Sequence, residues 1–270
     1  MKAVVLTYDA NHFLTDHMID CYQSLWPSNP FQFLVPYQVY PKKLVDKYED
    51  KIIPIKTPKD IKACMDTLVA NLPDNEWVYW CIDDKYPLEL NIHELETAFD
   101  WIRTVDNKDV AGISMCRARD WLQPLFLTKE FIRNNDNQVF LERLDNRHSW
   151  LHQFVRVKVL KTLFSYFPNE PFKAKEMDYM RPIVPNKESE RLFVSEYNRI
   201  VLAESAVDGK ITMNCVKSLR AKGIEIPKEK EEINEEIVIG SSISEPNARK
   251  SFSRRFEGVF YSLVWRLFPR

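Results

Sequence analysis

Glycine is scarce in this chain, with 5 among 270 residues, and none lies between Thr7 and Asn11. A glycine-rich phosphate loop after the opening strand is therefore absent. The five cysteines, Cys21, Cys64, Cys81, Cys116 and Cys215, are scattered, odd in number and without CxxC spacing, which indicates neither a disulfide framework nor a zinc site. A reducing, cytoplasmic setting fits that usage. Charge of either sign is not in excess: Lys+Arg 38 against Asp+Glu 39 leaves −1, so no global field draws nucleic acid. No run of about 18 apolar residues occurs, and nothing in the sequence is expected to span a bilayer. The start MKAVVLTYD has too short an apolar run for a secretion signal and no small-residue cleavage site.

What is present is enough apolar material, 45% hydrophobic and 13% aromatic, to bury one large core. Short apolar runs at Ala3–Leu6, Phe31–Val35, Lys51–Ile55, Glu76–Ile82 and Asp109–Met115 read as strands. Between them, three- and four-residue apolar spacing predicts helices over Thr15–Trp26 (with Thr15 or Asp16 as cap), Pro41–Tyr48, Asp60–Leu72 and Asn91–Thr104. This alternation predicts a doubly wound α/β domain with right-handed crossovers. Further on, Gln138–Leu144 reads as an edge strand, Trp150–Phe167 as one helix, Arg199–Ala206 as a strand, Asp208–Gly209 as a turn, and Asn214–Lys222 as a helix stopped by Gly223.

The stretch Glu76 to Pro87 stands out. An apolar run ends at Ile82, Asp83 and Asp84 follow, and Pro87 is expected to prevent the strand from continuing. Acids at the carboxyl end of a parallel strand stand where open α/β sheets bind ligands, and paired carboxylates call for a cation, a proton or water between them. Two solvated acids capping a turn would give the same sequence. Arg117 and Arg119 leave a later strand and would suit phosphate or a sugar acid, as well as plain solvent. His148 and His152, beside aromatic residues, read as packing or acceptor-contact groups.

From Pro227 to Ala248 the composition shifts to charge and then to small polar residues, which is linker chemistry. Residues 249–270 carry an apolar helical stripe from Phe252 to Leu267, with Arg249, Lys250, Arg254 and Arg255 near its start. Such a basic amphipathic helix suits an anionic bilayer surface, and equally the protein's own core or a second subunit, which leaves a homodimer open.

In the order and spacing of these motifs the chain resembles nucleotide-sugar glycosyltransferases with the GT-A fold, of the bacterial surface-polysaccharide type. Thr7-Tyr8-Asp9 is similar to the nucleotide-binding start of that fold, and Tyr79 to Asp84 occupies the place of its metal-binding Asp-x-Asp motif. Ser149 to Leu160 resembles the segment leading to a carboxylate near the acceptor, and Ile200 to Ile226 the end of the catalytic domain. The resemblance implies a GT-A domain over 1–226 (Rossmann-like, with a mixed, mostly parallel sheet flanked by helices), a linker over 227–248 and the helix over 249–270. It implies a nucleoside-diphosphate sugar donor, most simply a uridine one, and a glycan or lipid-linked acceptor. Asp84 and Asp83 would hold Mn²⁺ or Mg²⁺; Thr7, Tyr8, Asp9, Asp83, Arg117 and Lys210 would contact the donor. Glu176 or Asp178 would serve as general base. A cytoplasmic place is implied, peripheral at the inner membrane face if the terminal helix meets the bilayer rather than protein.

The motif here lacks the first aspartate of Asp-x-Asp, so one carboxylate is expected to touch metal while the other orients sugar or water. The retaining signature Gln-x-x-Arg-Trp is absent, which favours inversion. Two rivals stand beside this reading: a sugar nucleotidyltransferase, set back by the missing glycine loop, and a non-catalytic binding or scaffold protein working through its terminal helix.

Overall fold

The computed structural model describes residues 1–105, 109–117, 127–144, 150–168, 184 and 189–240. A nine-stranded sheet forms its centre. In chain order the first elements are β1 (Lys2–Leu6), α1 (His12–Leu25), β2 (Gln32–Tyr37), α2 (Lys42–Tyr48), β3 (Ile52–Lys56), α3 (Ile61–Val69), β4 (Trp77–Ile82), β5 (Lys85–Leu90), α4 (Ile92–Thr104) and β6 (Val110–Ser114). There follow β7 (Leu127–Arg133), β8 (Val139–Arg143), β9 (Gln153–Arg156), α5 (Val157–Ser165), β10 (Arg191–Ser195), β11 (Ile200–Glu204), β12 (Ala206–Val207), β13 (Lys210–Thr212), α6 (Met213–Ala221), β14 (Glu232–Ile233) and β15 (Val238–Ile239). The large sheet has the order β3-β2-β1-β4-β9-β6-β10-β8-β7. Its first four strands are parallel, and only β9 and β8 run against the rest. The expected mixed, mostly parallel α/β sheet flanked by helices is thus what forms.

β4 shows why the sheet needs helices on both faces. Val78, Trp80 and Ile82 enter one core with residues of α3 and α5, while Tyr79 and Cys81 enter the other with residues of α1, α4 and α6. A strand buried on both faces reads as a continuous apolar run, which is how it was recognisable. Phe31 stacks on Tyr79 at 4.4 Å between centroids and anchors the α1 side. Helix starts follow side-chain capping at two places, where Asp60 accepts from Ala63 N and Asn91 from Glu94 N.

Four sequence expectations need correction. The proposed helix Trp150–Phe167 is split: Gln153–Arg156 is β9, an antiparallel strand between β4 and β6, and only Val157–Ser165 is helical. Phe154 and Val155 go to opposite cores, an alternation that the three- and four-residue spacing of the following helix masked. Gln138–Leu144 is not at the edge, because β7 pairs outside β8. Pro87 does not end the run but lies within β5, on the rim of a small sheet β15-β11-β5, beside a register shift in β11. An edge position tolerates its missing N–H. Finally, α1 begins at His12, so Thr15 and Asp16 are inside the helix rather than at its cap.

Residues 227–240 cross back over the domain. β14 pairs with β13, β15 pairs with β11, and Ile211 N, Met213 N and Glu204 N donate to Glu231, Glu235 and Ile237 carbonyls. Gly240 ends this strap at φ 89°, with Ile200 O only 2.9 Å from where a Cβ would stand, so no other residue fits without a shift.

Candidate active site at the carboxyl end of the central strands

Backbone register builds the site. β1 and β4 are parallel with Leu6 opposite Ile82, so the residues that follow, Thr7 and Asp83, emerge side by side. Asp83 N donates to Leu6 O at 3.2 Å, and Thr7 Oγ1 donates to Asp83 Oδ2 at 2.6 Å. Thr15 Oγ1, from the first turns of α1, donates to Thr7 Oγ1 at 2.9 Å and completes a short buried relay. Asn11, at the start of α1, makes no capping bond; its side chain bonds to Asp83.

The two neighbouring acids have different fates. Asp83 is buried, and burial pushes its carboxyl up to about 7 against the hydrogen bonds of Thr7 and Asn11. Asp84 keeps 42% of its side chain exposed, with Oδ1 3.0 Å from Lys85 Nζ. Lys85 is only 7% exposed and also contacts Glu204 at 3.0 Å. Burial works against its charge, but Asp84 and Glu204 outweigh that and hold the ammonium above its ordinary range. The turn is also fixed through Ser205 N, which donates to Asp84 O at 2.5 Å.

Beneath the turn lies a chain of ring groups. His152 Nε2 is 3.0 Å from Ile82 O, and its Nδ1 is 2.7 Å from Tyr22 Oη. A carbonyl only accepts, so Nε2 carries the proton and Nδ1 accepts from Tyr22, which in turn accepts from Tyr79 at 2.8 Å. Burial lowers His152 to about 3 and keeps it neutral. His152 is thus a packing residue that clamps the last carbonyl before the acids.

The other sequence candidates fall into four places. Tyr8 is half exposed at the mouth, while Asp9 accepts from Gln38 N at 2.9 Å and Val39 N at 2.8 Å, holding the loop after β2. Arg117 leaves β6 on the same edge of the sheet, but its backbone N–H donates to Asn198 Oδ1 and its guanidinium to Glu196 O. Lys210, in β13, is paired with Glu231 at 2.7 Å. Asp208 and Gly209, at φ 50° and 80°, form the tight turn between β12 and β13. Glu176, Asp178, Arg119, His148 and residues 249–270 lie outside the described residues.

Sequence reasoning missed Lys230. It comes from the charged stretch after α6, and its Nζ donates to Asn11 Oδ1 at 2.9 Å and lies 5.9 Å from the ring centroids of both Tyr8 and Phe13. Nothing in a run of alternating charges signals which lysine turns inward.

Among the described residues no group of three or more His, Cys, Asp or Glu side chains could hold a metal ion. Of Asp83 and Asp84, only Asp84 presents its carboxylate to solvent, which fits a Mg²⁺-type ion held by one protein carboxylate and completed by phosphate oxygens. Asp83, facing inward, does not fit as a second ligand.

Fold and site together define an α/β protein with a polar site at the carboxyl edge of its parallel strands. No protein-family model matches the chain, and no curated protein matches it. Solved structures with a similar chain path include a 1–349 fragment of S. aureus TarS, 15% identical over 74% of this chain, with a TM-score of 0.43. This chain spans 59% of that fragment. The 4-diphosphocytidyl-2C-methyl-D-erythritol synthase of Anaerococcus prevotii is 11% identical over 82% of this chain and 95% of its own, at 0.44. An active-site mutant of LgtC is 10% identical over 98% and 99%, at 0.41. These are likenesses of chain path, and no residue role follows from them. Among the described residues no helix is long and apolar enough to cross a membrane.

Proposed function

We propose that this chain is a GT-A glycosyltransferase that moves a sugar from a nucleoside diphosphate, a uridine one in the simplest case, to a hydroxyl of a glycan or lipid-linked acceptor. The observation that carries the reading is the convergence of two distant segments: the β1–β4 register sets Thr7-Tyr8-Asp9 against Asp83-Asp84 at one strand end. That edge is where open α/β sheets bind nucleotides. The half-exposed Tyr8 ring offers a face for the base, and Asp9 shapes the adjoining loop. Asp84 is the residue to hold Mn²⁺ or Mg²⁺ against the donor's phosphates. Such an ion, when bound, supplies charge neutralisation to the leaving diphosphate.

In the reaction the acceptor oxygen attacks the anomeric carbon from the face opposite the diphosphate. The carbon–oxygen bond to phosphate breaks with its electron pair leaving on the nucleotide, and Glu176 or Asp178 takes the acceptor's proton. Inversion follows from this single displacement. Asp83 serves by shape rather than by contact: bonded to Thr7 and Asn11, it fixes the turn from which Asp84 projects. The acceptor class suits surface-polysaccharide synthesis, with residues 249–270 as a membrane-surface contact.

The test is release of nucleoside diphosphate from a panel of nucleotide sugars, with product glycan identified by mass. Asp84→Asn is expected to lower turnover on the order of 10²-fold or more. Full activity in that variant would overturn the assignment.

A further inference from the structure

Lys230 occupies an unusual electrostatic position. Among the described residues it makes no ion pair; its Nζ donates to a neutral amide, Asn11 Oδ1, at 2.9 Å. Of the two acids beside it in sequence, Glu229 and Glu231, the latter is paired with Lys210 at 2.7 Å. Lys230 is half-buried, and its Nζ lies 5.9 Å from the centroids of the Tyr8 and Phe13 rings. It has three N–H donors and Asn11 uses one, which leaves two for an incoming acceptor.

The placement is built by the backbone. Lys230 N donates to Pro227 O, Glu231 O accepts from Ile211 N, and β14 then pairs with β13, so the strap cannot carry Lys230 away without breaking a small sheet. Asn11 gives up the usual capping role at the start of α1 and links Lys230 to Asp83. Asp83, at the β4 end, feels the charges of both Lys230 and Asp84, and Asp84 is engaged by Lys85.

We propose that Lys230 is the protein cation that receives the diphosphate of the donor, an inference that rests on the transferase reading. A compact ammonium beside an exposed aromatic ring and one side chain away from the acid turn matches a nucleoside diphosphate: base on Tyr8, phosphates on Lys230. The strap over residues 227–240 is then part of the binding site.

Calorimetry on the full chain tests this with uridine, uridine diphosphate and inorganic pyrophosphate, each with Mg²⁺ and with EDTA. Wild type is compared with Lys230→Ala and Lys230→Gln, the latter keeping the stem over the two rings. The expected result is a loss of about tenfold or more in diphosphate affinity in both variants, with uridine unchanged and the loss persisting in EDTA. Unaltered diphosphate binding in folded Lys230→Gln would overturn the role of Lys230 while leaving the transferase reading in place. Lys230-dependent binding of pyrophosphate without any binding of uridine diphosphate would keep the anion site and overturn the donor. Failure of all three ligands on wild type would overturn both.

Discussion

Thr7 and Asp83, 76 positions apart in sequence, are joined by a 2.6 Å hydrogen bond that the parallel register of β1 and β4 dictates. The bond leads to a pH effect. Asp83 holds its proton more tightly folded than unfolded, so its carboxyl favours the fold at low pH. That contribution is lost as pH rises from about 4 through about 7. Asp83→Asn, which stays neutral, should gain stability relative to wild type between pH 5 and pH 8, by roughly 1–3 kcal/mol. Urea melts at the two pH values measure it; a difference that does not change with pH would contradict the burial.

His17 and His152 act in the opposite sense. Burial lowers them to about 4 and about 3, so the unfolded chain takes up protons below about pH 6.5 that the fold refuses. Their share of stability is full above that value and is lost as pH falls. Replacing His152 with Gln should flatten the acid limb of the stability profile. Tyr22→Phe removes the proton donated to His152 Nδ1 and should cost about 1–3 kcal/mol at neutral pH.

Lys85 sits between two carboxylates in a buried place, so its neighbours depend on it unequally. Lys85→Met removes the buried cation that both Asp84 and Glu204 contact at 3.0 Å, and should cost roughly 3–5 kcal/mol. Glu204→Gln leaves Lys85 paired with Asp84 and should cost clearly less. Chemical denaturation of the two variants separates the cases, and equal losses would show that the Asp84 contact carries no weight.

Much of this fold was legible because burial on both faces gives β1, β2 and β4 uninterrupted apolar runs, and α3 and α4 a clear helical stripe behind Asp60 and Asn91. β9 was not legible, since Gln153–Arg156 joins directly onto α5 and its apolar pair also fits the helical spacing. Pro87 misled because a rule about central strands was applied to a rim strand. At the site, Asp83 and Asp84 were visible as a pair, but their division into one buried and one exposed acid depends on Thr7, Asn11, Lys85 and Glu204, contacts made by tertiary register. Lys230 was hidden for the same reason: only the pairing of β14 with β13 brings a lysine of the charged stretch to the end of β1.

Binding of a nucleoside diphosphate where β1 and β4 end is tested by amide hydrogen exchange on the full chain with and without uridine diphosphate and Mg²⁺. Binding there should add protection in peptides covering Thr7 to Thr15, Ile82 to Lys85 and Pro227 to Ile233, and none over α5. Protection confined to other regions, or no change at saturating ligand, would contradict it.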